Sequence, residues 1–245
     1  MHVIQYSGGI GSWATAQRVA ARHGTSAMVL LFSNTGVEEP SLYSFLEESA
    51  AQLGVPLVTV ADGRTPFEVY WDVHFLGNSR LAPCSKILKQ RPARRWLQAH
   101  ADPDTTTVYV GIDAGEARRV PGIRTGWSPW RVEFPLTREP GLTKEAMLAE
   151  AHALGLRPPA AYAEGFAHAN CSGMCVRAGQ RHWLRLLEMH PDRFRQAEAE
   201  EQRFRQRFGD VAMLKQLRDG RSVPLPLTEL RRRHEAHLAA ASSLA

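Results

Sequence analysis

The chain has 245 residues, 44% of them hydrophobic and 22% charged, with a formal net charge of +5. That size and balance suit one substantial globular α/β unit with a full core, and the lack of any run of 18 apolar residues excludes an ordinary membrane-spanning helix. The pI of about 9.4 favours an anionic partner, a nucleotide or nucleic acid, without naming one.

In chain order, "HVIQYS" reads as a short buried strand and "GSWATAQRVAARHG" as a helix closed by Gly24. "SAMVLLFS" is a continuous apolar run of the kind found inside parallel sheets. "EPSLYSFLEESAAQLG" reads as a helix with Ser41 as N-cap and Gly54 at its end, followed by the strand "VPLVTVAD". This β-α-β-α-β order predicts a doubly wound, mostly parallel α/β fold. "TPFEVYWDVHFLG" and "SKILKQRPARRWLQAHA" are expected to be helical, the second interrupted at Pro92. "TTVYVGID" and "WRVEFPLT" supply further strands, and "TKEAMLAEAHALG" a helix capped by Thr143. From Gln180 to about Arg218 the pattern is charged and helical, and "AHLAAASSLA" is expected to fray. The expected organisation is a core domain over residues 1–180 and a helical, basic C-terminal extension over 181–245. "MHVIQY" enters a strand without the basic start and apolar core of a signal peptide, so the cytoplasm is the expected compartment.

The stretch "YSGGIGSWATA" is a glycine turn between strand and helix. Such a turn presents N–H groups and a helix N-terminus to an anion, with Ser7 and Ser12 as further donors. "GIGSWA" fits a dinucleotide fingerprint, but that reading needs an acid after the second strand, where Ser33, Asn34 and Thr35 stand. A Walker loop fails too, because no lysine follows the glycines.

The loop resembles the S-G-G-x-x-S pyrophosphate loop of the PP-loop ATP pyrophosphatases, the group that includes phosphoadenosine phosphosulfate (PAPS) reductases. Four later segments are similar in the same order: "FSNTGVEEPSLYSFLEE", "PCSKILKQRPARRWL", "VYVGIDAGEARR" and "AYAEGFAHANCSGMC". The resemblance covers about residues 3–180 and implies cleavage of ATP between its α and β phosphates, with Mg2+ neutralising developing charge. It implies that Ser7, Gly8, Gly9, Gly11 and Ser12 hold the outer phosphates. Ser33, Asn34, Thr35 and Gly36 would lie near adenine and ribose, and Gly111, Glu116 and Arg119 would complete the nucleotide site. Ser7, Ser12, Lys86 and Arg118 are the expected catalytic contacts, with Lys86 and Lys89 on one helix face. Many relatives have Asp where Gly11 stands, a departure that bears on metal binding at the loop.

The three cysteines, an odd number, argue against a disulfide framework. Cys84, Cys171 and Cys175 can hold a [4Fe–4S] cluster at three irons, or zinc with His168 as fourth ligand, or serve as redox or inert thiols. The resemblance favours the cluster, because three cysteines on this kind of fold look like the sulfur-transferring members. The reductases carry a catalytic cysteine in a C-terminal tail, and no cysteine follows Cys175 here, so that route is not expected. Arg203, Arg205, Arg207, Arg218, Arg221 and Arg231 to Arg233 suit either nucleic acid or a partner protein.

The resulting expectation is an ATP pyrophosphatase that adenylylates an acceptor for sulfur incorporation, most similar to the DNA phosphorothioation enzymes of DndC/SspD type, with tRNA thiolation open. A cysteine desulfurase or another sulfur donor is the expected partner, membranes are not, and a homodimer stays open. The alternatives are an NAD-dependent oxidoreductase, for which nothing explains the cysteines, and a zinc-stabilised nucleic-acid-binding module.

Overall fold

The computed structural model describes residues 1–139 and 141–242. Strands β1 (His2–Gln5), β2 (Met28–Asn34), β3 (Leu57–Ala61), β4 (Thr107–Tyr109) and β5 (Arg131–Glu133) form one sheet in the order β3-β2-β1-β4-β5. Every neighbouring pair is parallel, as expected for apolar strands covered on both faces. Consecutive residues of β1 feed opposite cores: Ile4 packs on one side and Val3 on the other, both fully buried.

On the Ile4 side lie α1 (Ile10–His23), α2 (Pro40–Leu53), α6 (Lys144–Ala153), α8 (Gln180–Met189) and α9 (Pro191–Phe208). On the Val3 side lie α4 (Arg91–His100) and α5 (Val120–Trp127), through Ala93, Leu97 and Trp127. Among the short elements in this part of the chain are α3 (Pro66–Asp72), α7 (Ala160–Ala163) and 3-10 turns over Ala114–Arg119, Pro135–Arg138 and Asn170–Gly173. The chain leaves β1 toward β2 but returns from β3 to β4 on the other flank of β1. The connections after β1 and β4 therefore diverge, and such a switch point opens a crevice at the carboxyl ends of the strands.

Several local expectations hold. Gly24 closes α1 at φ 73°, Gly54 caps α2 in the left-handed conformation, and the Thr143 hydroxyl caps α6. Others are corrected. The cap of α2 is Glu39, because Pro40 occupies the first helical position and fits there without its N–H; Ser41 lies inside the helix. Residues 85–100 are not one helix broken at Pro92. A π-helical turn, Ser85–Gln90, precedes α4, and Pro92 lies harmlessly in its first turn.

The long C-terminal helix also divides. Pro191 separates α8 from α9, Gly209 ends α9, and an antiparallel hairpin follows, β6 (Leu214–Arg218) and β7 (Arg221–Leu225). A last helix, α10 (Leu227–Ser242), covers most of the tail expected to fray, whose last three residues lie outside the described ones. Among the described residues no helix is long and apolar enough to cross a membrane.

Candidate active site at the switch point of the sheet

The glycine loop follows β1 directly into α1. Gly8 has φ +76°, and a Cβ there would fall 2.7 Å from Leu42, so only glycine fits. Gly9 is the N-cap of α1 with no side-chain cap, and the N–H groups of Gly8, Gly9 and Gly11 have no acceptor among the described residues. Free amides at a helix start are an anion site. Ser12 is buried and braces the loop, its hydroxyl donating to the Gly9 carbonyl at 2.8 Å and accepting from the Ser7 N–H at 3.2 Å. The exposed Ser7 hydroxyl lies 3.4 Å from it.

Two residues from other parts of the chain complete the loop. Gly111, just past β4, touches it backbone to backbone: a Cβ there would fall 2.7 Å from the Gly11 carbonyl oxygen. A Cβ on Gly11 would meet the Gly111 carbonyl at 3.4 Å, so these two glycines face one another where the strands diverge. Tyr162, on α7, accepts a hydrogen bond from the Ile10 N–H at 2.9 Å. Sequence patterning gave no reason to select Tyr162, because a lone tyrosine in a short helix has no signature.

The end of β2 is internally bonded. Asn34 accepts from the Gly36 N–H at 2.9 Å and the Tyr43 hydroxyl at 2.8 Å, Thr35 donates to Glu38 at 3.0 Å, and Ser33 donates to the Lys89 carbonyl at 3.1 Å. Glu38 is the hub. Its buried carboxylate accepts the Cys171 N–H and lies 3.6 Å from the Lys89 ammonium. Burial alone would lower Lys89, but Glu38 and the three thiols outweigh it and hold the amine above its ordinary value.

The thiols gather around this pair. Cys84 opens the π-helical turn and accepts from the Tyr70 hydroxyl at 3.1 Å; burial pushes its thiol up. Cys171 and Cys175 share a hydrogen bond that raises Cys171 and lowers Cys175, with the Arg177 N–H and Lys89 adding to the lowering. All three thiols act on both Tyr70 and Lys89, which places them in one pocket. Cys171 and Ser172 hold left-handed conformations, φ 53° and 48°, each costing about 1–3 kcal/mol. They are fixed by Glu38 and by the Ser172 hydroxyl, which donates to the Val37 carbonyl at 2.8 Å.

A cavity of about 100 Å3, lined in part by Thr65, Tyr70, Cys171, Met174 and Glu200, adjoins this pocket. Among the described residues no three His, Cys, Asp or Glu side chains are grouped to hold a metal ion. The sulfurs stand instead as a bonded pair and a third thiol on Tyr70. Three soft donors lie around the half-buried Lys89 ammonium, and thiols are the donor type that soft metals take.

The other expected residues are placed as follows. Lys86 is exposed and Lys89 turns inward, because the π-helical turn winds more widely than the α-helix that would have aligned them. Arg118 is exposed at the 3-10 turn, while Arg119 pairs with Glu116. His168 is held low by desolvation first and then by Lys144. The charged groups that act on it are Lys144, Glu116, His182 and Arg119, and among the described residues it forms no metal-holding group with the cysteines.

No protein-family model matches the chain, and a search of curated proteins gives no match. Among solved structures the chain is similar to the crystal structure of phosphoadenylyl-sulfate (PAPS) reductase from Candida auris in its phosphate complex. The identity is 15%, the overlap covers 67% of this chain and 78% of that one, and the TM-score is 0.46. An overlap of that extent carries no argument about function, and it is the parallel sheet with its switch point that establishes the α/β fold of this chain.

Proposed function

We propose that the chain is an ATP pyrophosphatase that adenylylates a nucleic-acid acceptor for sulfur incorporation, of the DNA phosphorothioation type. The observation that supports this reading is the convergence of two sites at the carboxyl ends of the central strands. Tyr162 holds the loop with the free amides, and within the next thirteen residues the same segment delivers Cys171 and Cys175 onto Glu38 and Lys89.

The acceptor oxygen attacks the α-phosphorus of ATP, the α–β bridge breaks, and pyrophosphate leaves with the bonding electrons. Gly8, Gly9 and Gly11 offer N–H groups to the leaving phosphates, and the exposed Arg118 offers charge at the neighbouring strand end. Mg2+ would enter with the nucleotide. Sulfide then displaces AMP from the acceptor, so ATP supplies the leaving group. An iron–sulfur cluster, held by Cys84, Cys171 and Cys175, would supply sulfide beside that site when bound. Lys89 balances thiolate charge there, and Glu38 keeps Lys89 protonated.

The test is pyrophosphate release from ATP. Gly9→Val, whose side chain meets the Tyr162 hydroxyl, is expected to lose roughly 100-fold, the scale of removing oxyanion donors. Parent-like release by this variant sinks the placement of the nucleotide. Anaerobically purified protein is expected to carry iron and to absorb in the visible, and Cys84→Ser to lose the colour. A colourless parent with stoichiometric zinc refutes the cluster and leaves the ATP site standing.

A further inference from the structure

The C-terminal arginines divide into two groups. Arg203, Arg205, Arg231, Arg232 and Arg233 are each ion-paired, with Glu200, Asp210, Glu198 and Glu229 among their partners, so their charge is largely spent within the protein. Lys215, Arg218 and Arg221 of the hairpin, with Arg177 just before α8 and Arg181 in its first turn, are exposed and have no ion-pair or side-chain hydrogen-bond partner among the described residues. Exposed Arg185 and Arg207 also have no ion pair among the described residues, Arg185 donating to the Glu164 carbonyl and Arg207 lying over the Phe208 ring; the cations of this region with neither an ion pair nor such a contact are on and beside the hairpin.

The hairpin is a preformed ribbon. Asp219 and Gly220 have φ 50° and 72°, the positive values that a type I′ turn demands, and Arg218 pairs with Arg221 across it. Its base is held rigidly. The buried Glu201 carboxylate accepts the Met213 N–H at 2.8 Å and the Leu227 N–H at 2.6 Å, one on each side of the ribbon. Gln180 donates to the Lys215 carbonyl at 3.0 Å, which ties the ribbon to α8. The Arg177 N–H bonds the Cys175 sulfur, so this exposed arginine stands beside the thiol pocket. Cross-strand register puts Arg218 and Arg221 on one face, with Lys215 and the 80%-exposed Leu217 on the other.

We propose that the β6–β7 hairpin is a duplex-DNA docking ribbon that seats the acceptor strand toward the thiol pocket, an inference that rests on the nucleic-acid reading above. A two-stranded ribbon fits the major groove of B-form DNA but not the deep, narrow groove of A-form RNA. Unpaired guanidinium groups bind backbone phosphates, and an exposed leucine suits apolar contact with thymine methyl groups.

The test is fluorescence anisotropy of the full chain with labelled 30-base-pair DNA and RNA duplexes across a salt series. The parent is expected to bind DNA more tightly than RNA. Lys215→Gln/Arg218→Gln/Arg221→Gln is expected to weaken DNA binding roughly tenfold and to reduce the log–log salt slope by about 2–3, near 0.9 per lost phosphate contact. Arg232→Gln/Arg233→Gln, which removes paired charges, is expected to move the slope much less. Should the triple variant fail to fold by circular dichroism, the single Arg221→Gln change at the exposed turn is expected to reduce the slope by about one.

No DNA binding by the parent, tighter binding of RNA, or an unchanged slope in the hairpin variants overturns the ribbon; binding only to an acidic protein does the same. Pyrophosphate release by the parent keeps the two readings apart. Release with hairpin-independent DNA binding refutes the ribbon alone, whereas hairpin-dependent binding without release refutes the enzymatic reading alone.

Discussion

Gly111 shows how one missing side chain sets the site. Its α-carbon stands against the Gly11 carbonyl, with 2.7 Å available to a Cβ, so Gly111→Ala must push the segment after β4 away from the first turn of α1. Backbone on both sides leaves no soft rotamer to yield, and the expected cost is about 1–3 kcal/mol. Pyrophosphate release should fall by more than the stability loss explains, and a thermal melt beside an activity assay separates the two. A variant active and stable like the parent would show that the contact is not needed.

At this scale the sequence was informative about glycines and cysteines, whose types are chemically distinctive. It was not informative about Lys89 over Lys86, because a six-residue π-helical turn leaves no pattern in the letters. Glu38 comes too late for a ribose-binding acid, and its actual work, clamping a backbone amide 133 residues away, is a product of tertiary structure.

Among elements, α1 is anchored far from its glycine start. Arg18 makes a double ion pair, to Glu150 of α6 at 2.5 Å and to Glu139 at 3.2 Å, which fixes the lower half of α1 against the turn after β5. The hydrogen bond from Arg18 holds Glu150 below its ordinary carboxylate value. A carboxylate with a depressed folded pKa contributes stability above its unfolded value of 4.5, and that contribution is lost as the pH falls through the folded pKa. Arg18→Met is therefore expected to melt lower at pH 7 and to lose less stability than the parent on acidification below pH 4.5. Melts that stay parallel at every pH would disprove the linkage. The helices were legible because caps and apolar spacing are local. The hairpin is masked in the sequence, although the D-G pair between Arg218 and Arg221 is a strong turn signal, because the charged helical pattern of α9 runs on past Gly209.

For the whole molecule, the parallel sheet follows from alternating apolar runs and amphipathic helices. What one dimension hides is assembly. Strand β4, distant in the chain, lies beside β1 and thereby brings Gly111 to the loop, and the segment around residue 171 folds over the end of β2.

On the proposed function, Tyr162 would link the two sites of that assembly. Its hydroxyl occupies the Ile10 amide at the helix start, the kind of group a phosphate oxygen competes for, and nine residues later its chain carries Cys171. A nucleotide bound as proposed would compete for this amide and so release one restraint on the thiol segment. Linkage then requires that the two sites sense each other equally. If ATP and a metal bind as proposed, whatever factor ATP imposes on the affinity of the cysteines for the metal, the metal must impose on the affinity for ATP. Tyr162→Phe, which removes the shared bond, is expected to bring both factors toward one in paired titrations. Equal coupling in parent and variant would mean that the signal takes another path.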